Sequence, residues 1–374
     1  MAPEQRPFSG LPAPREVPTG QRRPTIDDVA RQAGVSKGAV SFALNGRPGV
    51  GHATRARILD AARDLDWRPS TRARALSHSR AFALGLVLSR SPELLAADPF
   101  FPHFVAGVET VLAERGYALV LQVVGDDRRA EAGSYRRLAR DDRVDGVFLT
   151  DLRRRDPRLE LLVELGLPAV AVGPPAGDCP LPWVAVKDRY GVEQAVAHLV
   201  ELGHTRIAHV AGAPGYIHSA SRRAAWRRAL RRAGLTPGPV VAGDFTGPGG
   251  AKATRQLLGQ PDPPTAIVYS NDLMAIAGMG VALEAGLEVP RGLSVVGFDD
   301  VPLAAHLAPP LTTVRQDALA WGQAAARTLL AVVERQPVPS IQLDLPRLIV
   351  RASTAPPRQP KGRRRPDPGP QRAS

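Results

Sequence analysis

Hydrophobic and polar positions fall into two textures along this chain. Between residues 25 and 65 the apolar positions recur with a helical period. Ile26, Val29, Ala30 and Ala33 make one face at i, i+3, i+4 and i+7. Thr25 stands at the capping position, with Asp28 three residues on as a weaker form of the capping box. Gly34 ends that segment. Ser36 can cap a second helix that turns Ala39, Val40, Ala43 and Leu44 inward, and Asn45-Gly46 stops it. A third helix is predicted from 51 or 52 to 64, with Ile58, Leu59, Ala62 and Leu65 as its stripe. Two short helices joined by a glycine turn and braced by a third make a helix-turn-helix.

Beyond residue 80 the texture changes. Short apolar runs at 84–88, 118–123, 146–149, 169–172, 207–210, 266–269 and 293–298 read as strands. Helical patterns at 104–115, 134–140, 159–165, 191–202, 222–233, 249–258 and 273–285 lie between them. Such alternation predicts parallel sheets covered on both faces. The stretch is too long for one small sheet, so two doubly wound lobes with a cleft between them are expected.

Composition narrows the class. Of 374 residues, 44% are hydrophobic, enough for a large core, which excludes wholesale disorder. No apolar run approaches the roughly 20 residues of a membrane helix, and the first residues lack the apolar stretch of a secretory signal. The single cysteine, Cys179, cannot form an internal disulfide or a Cys-rich zinc site. A cytoplasmic protein without cofactor or metal is the simplest expectation.

Charge adds a location. Residues 21–80 carry 12 basic and 5 acidic side chains, a net of +7, and residues 351–374 a net of +6. These two segments account for the whole formal charge of +13, so the body is neutral. A basic head and a basic tail fit a local contact with a polyanion. No Gly-x-Ser-x-Gly elbow, Walker loop or His-Glu-x-x-His motif suggests an enzyme.

Several motifs then carry a resemblance. TIDDVARQAGVSKGAVSFALNG, TRARILDAARDLDWRPS and ARALS resemble the DNA-binding head and hinge of the LacI/GalR family of bacterial transcription regulators. DPFFPHFVAGVETVLAERGY, RVDGVFL, HLVELGHTRIAHVAG, RRAAWRRAL, YSNDLMAIAG, VPRGLSVVGFDD and PPLTTVRQD are similar to that family's core, in its order. The resemblance covers residues 24–352. It implies an all-α helix-turn-helix head plus hinge helix, joined to an α/β periplasmic-binding-protein-like core of two doubly wound parallel-sheet lobes. The expected division is a disordered extension at 1–23, the head at 24–69, the hinge at 70–80, the core at 81–352 and a disordered basic tail at 353–374. Within the core the first lobe takes about 82–187 and 317–341, the second about 188–316 and 342–352.

The resemblance also implies roles. The protein would be a transcriptional repressor, a homodimer on a near-palindromic operator in double-stranded DNA, found on the nucleoid when bound. A small effector, a sugar or alternatively a purine-type corepressor, would control it. A solute-binding protein of the periplasmic type shares the body fold but has no such head. A recognition helix offers its outward residues to base edges, here Ser36, Lys37, Gly38, Ser41, Phe42 and Asn45. Phe42 sits where many relatives carry arginine, and either touches a thymine methyl or covers the base of the helix. Ser41, Asn45, Thr25, Arg31 and Arg55 are candidates for phosphate contacts. In the hinge, Ala73, Arg74 and Leu76 would meet DNA at the minor groove, with Leu76 as the apolar wedge and Arg74 along the groove wall or on a phosphate. For the effector, Phe100, Phe101 and Phe245 offer stacking faces, Arg222 and Asp272 offer bidentate hydrogen bonds, and Gln316 lies at a crossover between lobes. Tyr216 and His218 either tune specificity or lie in a surface loop. Lys187-Asp188 departs from the family's usual Asp-Asn.

Overall fold

The structure is a computed structural model and describes residues 24–44, 48–67 and 80–358. These divide into two compact units, one up to residue 79 and one from residue 80 onward. The first holds α1 (Ile26–Ala33), α2 (Lys37–Leu44) and α3 (His52–Asp64). Thr25 closes the start of α1 by donating both its backbone N–H and its hydroxyl to the Asp28 carboxylate, at 2.8 and 2.7 Å. Gly34, at φ +63°, ends it by donating to the Ala30 and Arg31 carbonyls. The small core is Val29, Ala30, Ala33, Val40, Ala43, Ile58, Ala61 and Ala62. Leu59, expected in that stripe, is instead 43% exposed. The buried row of α3 runs from Ile58 to Ala61 and Ala62, and Leu59 lies about 100° around the helix from its start.

The second unit runs β1 (Ala83–Leu88), α4 (Pro92–Ala97), α5 (Phe100–Arg115), β2 (Ala118–Val123), α6 (Arg128–Arg140), β3 (Gly146–Leu149), α7 (Pro157–Glu164), β4 (Ala169–Val172) and β5 (Trp183–Ala185). It continues through α8 (Asp188–Glu201), β6 (Ile207–Ala211), α9 (Ile217–Arg232), β7 (Val240–Ala242), α10 (Gly247–Leu258), β8 (Ala266–Tyr269), α11 (Asp272–Glu284) and β9 (Ser294–Asp299). A 3-10 turn at Pro302–His306 leads to β10 (Thr312–Arg315), α12 (Ala318–Val333), β11 (Ile341–Gln342) and β12 (Arg347–Ile349).

The strands form two six-stranded sheets, β11-β5-β4-β3-β1-β2 and β12-β10-β9-β8-β6-β7. All neighbours are parallel except β12 on β10. The two orders match position by position, so the lobes share one doubly wound plan and the expected fold class holds. Each sheet carries an apolar core on both faces. The chain returns to the first lobe through α12, which crosses α5 at very close range. A Cβ on Gly322 would stand 2.1 Å from the Phe104 carbonyl oxygen, and one on Gly107 2.1 Å from that of Leu319. Glycine at both positions lets the two backbones meet.

The ordered body extends past residue 352, where a disordered tail was expected to begin. Ser353 is fully buried. Its hydroxyl donates to the Val295 carbonyl at 2.6 Å and accepts from the Thr312 N–H at 2.8 Å. The Ala355 carbonyl meets His204 Nε2 at 2.8 Å. The segment is Pro-rich and shows no periodicity, yet it satisfies polar groups that the second sheet would otherwise leave buried. No helix among the described residues is long and apolar enough to cross a membrane.

Candidate functional site

In the first unit α2 presents one polar face. Ser36, Lys37, Gly38 and Phe42 are exposed, Ser41 is half-buried, and Val40 and Ala43 point inward. Ser36 Oγ accepts from the Ala39 N–H at 3.2 Å and so starts the helix. Lys37 pairs with Asp27 on α1 at 2.6 Å, both partly exposed, so a ligand anion would compete with that carboxylate. Phe42 is 42% exposed, and its ring lies over Gly49, where a Cβ would touch it at 3.6 Å. The phenyl thus covers the turn after α2 with one edge and offers the other to solvent. Arg55 is half-buried on α3 and Arg31 is exposed. Asn45, Ala73, Arg74 and Leu76 lie outside the described residues.

The second unit gathers a set of polar side chains in the cleft between the lobes, where a cavity opens. Phe100, Phe101, Arg222, Phe245 and Gln316 all line it. Phe100 packs edge-on against Phe101 and Trp321, with ring centres 5.3 and 5.8 Å apart, and Trp321 is pinned by its indole N–H on the Val184 carbonyl at 2.8 Å. Across the cleft, the Phe245 ring lies on Gly212, whose Cβ, if present, would be 2.0 Å away. The neighbouring His218 stacks on Tyr216 at 5.4 Å and meets Phe245 at a tilt, with ring centres 5.3 Å apart. His218 therefore lines the cavity, while Tyr216 packs against it at the start of α9.

Arg222 is buried and fixed three ways. Its Nε donates to Asp188 at 2.8 Å, its Nη1 donates to the Ser270 carbonyl at 2.5 Å, and its plane lies 3.7 Å above the Phe298 ring. The Asp188 of the unusual Lys187-Asp188 pair is thus the partner of Arg222. Asp272 is a correction: it does not reach the cavity. It is fully buried, accepting from the Val301 N–H at 2.9 Å and from the Thr313 hydroxyl at 2.5 Å. It ties α11 to β10 behind the wall, and burial pushes its carboxyl up to about 6. Asn271, one residue earlier, lines the cavity instead. Its side chain caps α11 on the Met274 N–H and holds the Phe245 carbonyl.

Other lining residues were not anticipated: Arg90, Asp98, Asp151, Asp299 and Trp321. Arg90, two residues past β1, donates twice to Asp151, two past β3, at 2.7 and 2.6 Å. Burial would raise the Asp151 carboxyl, but the Arg90 guanidinium holds it at about 2. The guanidinium also lies 4.8 Å from the Phe101 ring centre and 5.6 Å from that of Phe245, so it spans the gap between lobes. Asp299 ends β9 and accepts from Gln316 Nε2 at 2.6 Å. One signal could have found these residues. Arg90, Asp151, Asn271, Asp299 and Gln316 all sit at or just past the carboxyl ends of strands, where ligands bind in such sheets. Asp151, Phe245 and Asp299 also hold positive φ, of +53°, +70° and +123°, as do six other side-chain-bearing residues among those described.

Among the described residues no group of His, Cys, Asp and Glu could hold a metal ion. What the cleft offers is a hydrogen-bonding interior between two aromatic walls, suited to a polar, ring-shaped molecule.

Known proteins share both units. Residues 25–70 match the family described as bacterial regulatory proteins, lacI family, and residues 196–354 match the periplasmic binding protein-like domain. The HTH-type transcriptional regulator CelR of Thermobifida fusca is 36% identical over 339 residues, covering 89% of this chain and 99% of its own. A solved CelR–cellobiose complex superimposes with a TM-score of 0.68 at 36% identity, over 88% of this chain and 100% of that one. The lac repressor dimer bound to operator and the anti-inducer ONPF gives a TM-score of 0.77 at 29% identity, over 89% of this chain and 100% of that one.

Proposed function

The chain belongs to the LacI family of bacterial regulatory proteins, and from that premise we propose that it is a transcriptional repressor whose affinity for an operator is set by a saccharide in its cleft. One observation carries the reading. A single chain joins a helix-turn-helix head with an outward polar helix face to a two-lobed body whose cleft pairs arginines with carboxylates between aromatic walls. Relatives with this pairing are DNA-binding regulators rather than enzymes, and one of them is solved with cellobiose.

In the head, Lys37, Gly38 and Phe42 face the base edges, while Ser36, Ser41, Thr25, Arg31 and Arg55 set the register on phosphates. Two copies of the chain bind two half-sites, so the operator is near-palindromic. In the body, Arg222 and Gln316 meet ligand hydroxyls, with Phe100 and Phe245 against the ring faces. Asp299 takes the role that Asp272 cannot. The ligand bridges the lobes and acts through residues 70–79, which link the two units. Its leverage equals its differential affinity for the two states, typically about 1–3 kcal/mol. A protein that works on chromosomal DNA resides in the cytoplasm.

The test is selection of genomic fragments on the full chain, followed by footprinting. A protected near-palindrome, released or tightened by a neutral saccharide, supports the reading. Retention of random fragments as well as any selected one, with or without saccharides, overturns it.

A further inference from the structure

Helix α9 carries a dense run of positive charge. Its sequence, IHSASRRAAWRRALRR, holds six arginines and no acidic residue. Arg222 is committed to Asp188 in the cleft, and Arg228 and Arg232 reach Glu193 on α8 at 3.4 and 3.6 Å. Arg223, Arg227 and Arg231 are exposed and have no ion-pair partner among the described residues. They stand four residues apart, so they lie one above the next along a single face of the helix, where like charges repel. Ser219 continues the row at its start.

The first part of this row borders a recess outside the cleft. Gly212 and Gly215 of the β6–α9 turn, Ser219, Arg223 and Arg227 of α9 and Ala242 of β7 line it, and no carboxylate is among the lining residues. None of its lining residues also lines the cleft. Ser219 supplies an independent sign. It is 5% exposed, and its Oγ is buried with no hydrogen-bond partner. Such orphaned groups are rare in native proteins unless water or a ligand completes them. No side chain caps the first turn of α9, and that end of the helix carries partial positive charge. Two guanidinium forks, a hydroxyl and a helix end offer more donors than the two oxygens of a carboxylate can take. They suit the three terminal oxygens and near-double charge of a phosphate monoester. A duplex backbone would meet the exposed arginines but leave the buried hydroxyl unpaired, so the recess favours a small molecule over DNA.

We propose that this recess is a second ligand site for a small phosphate monoester, held by Ser219, Arg223 and Arg227. The site does not depend on which saccharide fills the cleft. The experiment is titration calorimetry on the full chain at fixed salt with inorganic phosphate and glycerol 3-phosphate, and with glycerol as the uncharged control. Both phosphates bind and glycerol does not. The basic head and tail also attract phosphate, so the decisive reading is the difference among variants. Arg223→Gln and Arg227→Gln each weaken glycerol 3-phosphate about tenfold or more, while Arg231→Gln, in the same row but beyond the recess, changes it by no more than about twofold. Ser219→Ala, which removes one oxygen, weakens it as well. Both recess arginines are exposed, so their variants keep the fold. Failure of both phosphates to bind at millimolar concentration overturns the proposal. So does an equal loss in Arg231→Gln and Arg223→Gln, which marks a diffuse charge effect, or no loss in any α9 variant, which puts the phosphate on the head or tail. If the recess variants weaken a random duplex as much as they weaken glycerol 3-phosphate, the row is a DNA contact and the proposal fails.

Discussion

Gly38 is a glycine inside a helix with no packing reason to be one. The nearest atom to a Cβ built there is Ser36 Oγ, at 3.8 Å, and the backbone is ordinary helix. Replacing it with alanine should therefore stabilise the head by about 0.5–1 kcal/mol. The same methyl would stand between α2 and a base edge. Gly38→Ala is expected to raise the melting temperature of the head and weaken operator binding. A stabilised variant with unchanged operator affinity would show that Gly38 is not there for DNA. His209 makes a second case. Its imidazole is fully buried on Trp226 and bonded to the Val268 carbonyl at 2.8 Å. Burial lowers it from 6.5 to about 4. Between those values the unfolded chain takes up a proton that the folded chain refuses, so stability present above pH 6.5 is lost as pH falls toward 4. His209→Gln, which does not titrate, should lose less stability than the parent between pH 7 and pH 5 in chemical denaturation. Equal losses would mean that His209 stays neutral in both states.

Among the elements, the crossing of α5 and α12 depends on a close approach of two backbones at glycine. Gly322→Ala forces the two backbones apart at the Phe104 carbonyl, an overpacking change that costs about 1–3 kcal/mol. Calorimetry should show the body melting lower and the head unaffected, whereas an unchanged melting temperature would mean that the helices part freely. Neither α12 nor its glycine contact could be read from the pattern. Its sequence, ALAWGQAAARTLLAVV, is apolar or small on nearly every side and shows no clean amphipathic period. The strands β5, β7, β11 and β12 have three residues or fewer, too short for a period to register. The longer alternating elements were legible because burial on one or both faces leaves its mark in composition. The site was legible only where a motif pointed to it. Arg222 and Phe245 were anticipated. Arg90 and Asp151 were not, since their pairing joins residues 61 positions apart that meet only once β1 and β3 lie side by side. Asp272 was misplaced by one residue for a similar reason. The start of α11 directs Asn271 to the cavity and Asp272 into the sheet, and that choice is a matter of helix phase.

For the whole molecule, charge and geometry divide the work. The basic excess lies in the head and tail, while the body is neutral overall and holds part of its charge in buried pairs beside the cleft. The lobes touch directly beside the cavity, where the Ile217 N–H donates to the Leu152 carbonyl at 2.9 Å and Arg153 bridges to Tyr216. Arg153 is itself held by Glu131, which also takes Arg158, so the first-lobe side of this seam is firmly braced. A ligand that favours one setting of the seam can thus bias the molecule as a unit. The most direct measurement is fluorescence anisotropy of a labelled operator, selected on the full chain, with and without a saturating saccharide at fixed salt. The account predicts a shift in operator affinity of about 5–150-fold, with little change on scrambled duplex. A saccharide that binds by calorimetry yet leaves operator affinity unmoved would contradict it.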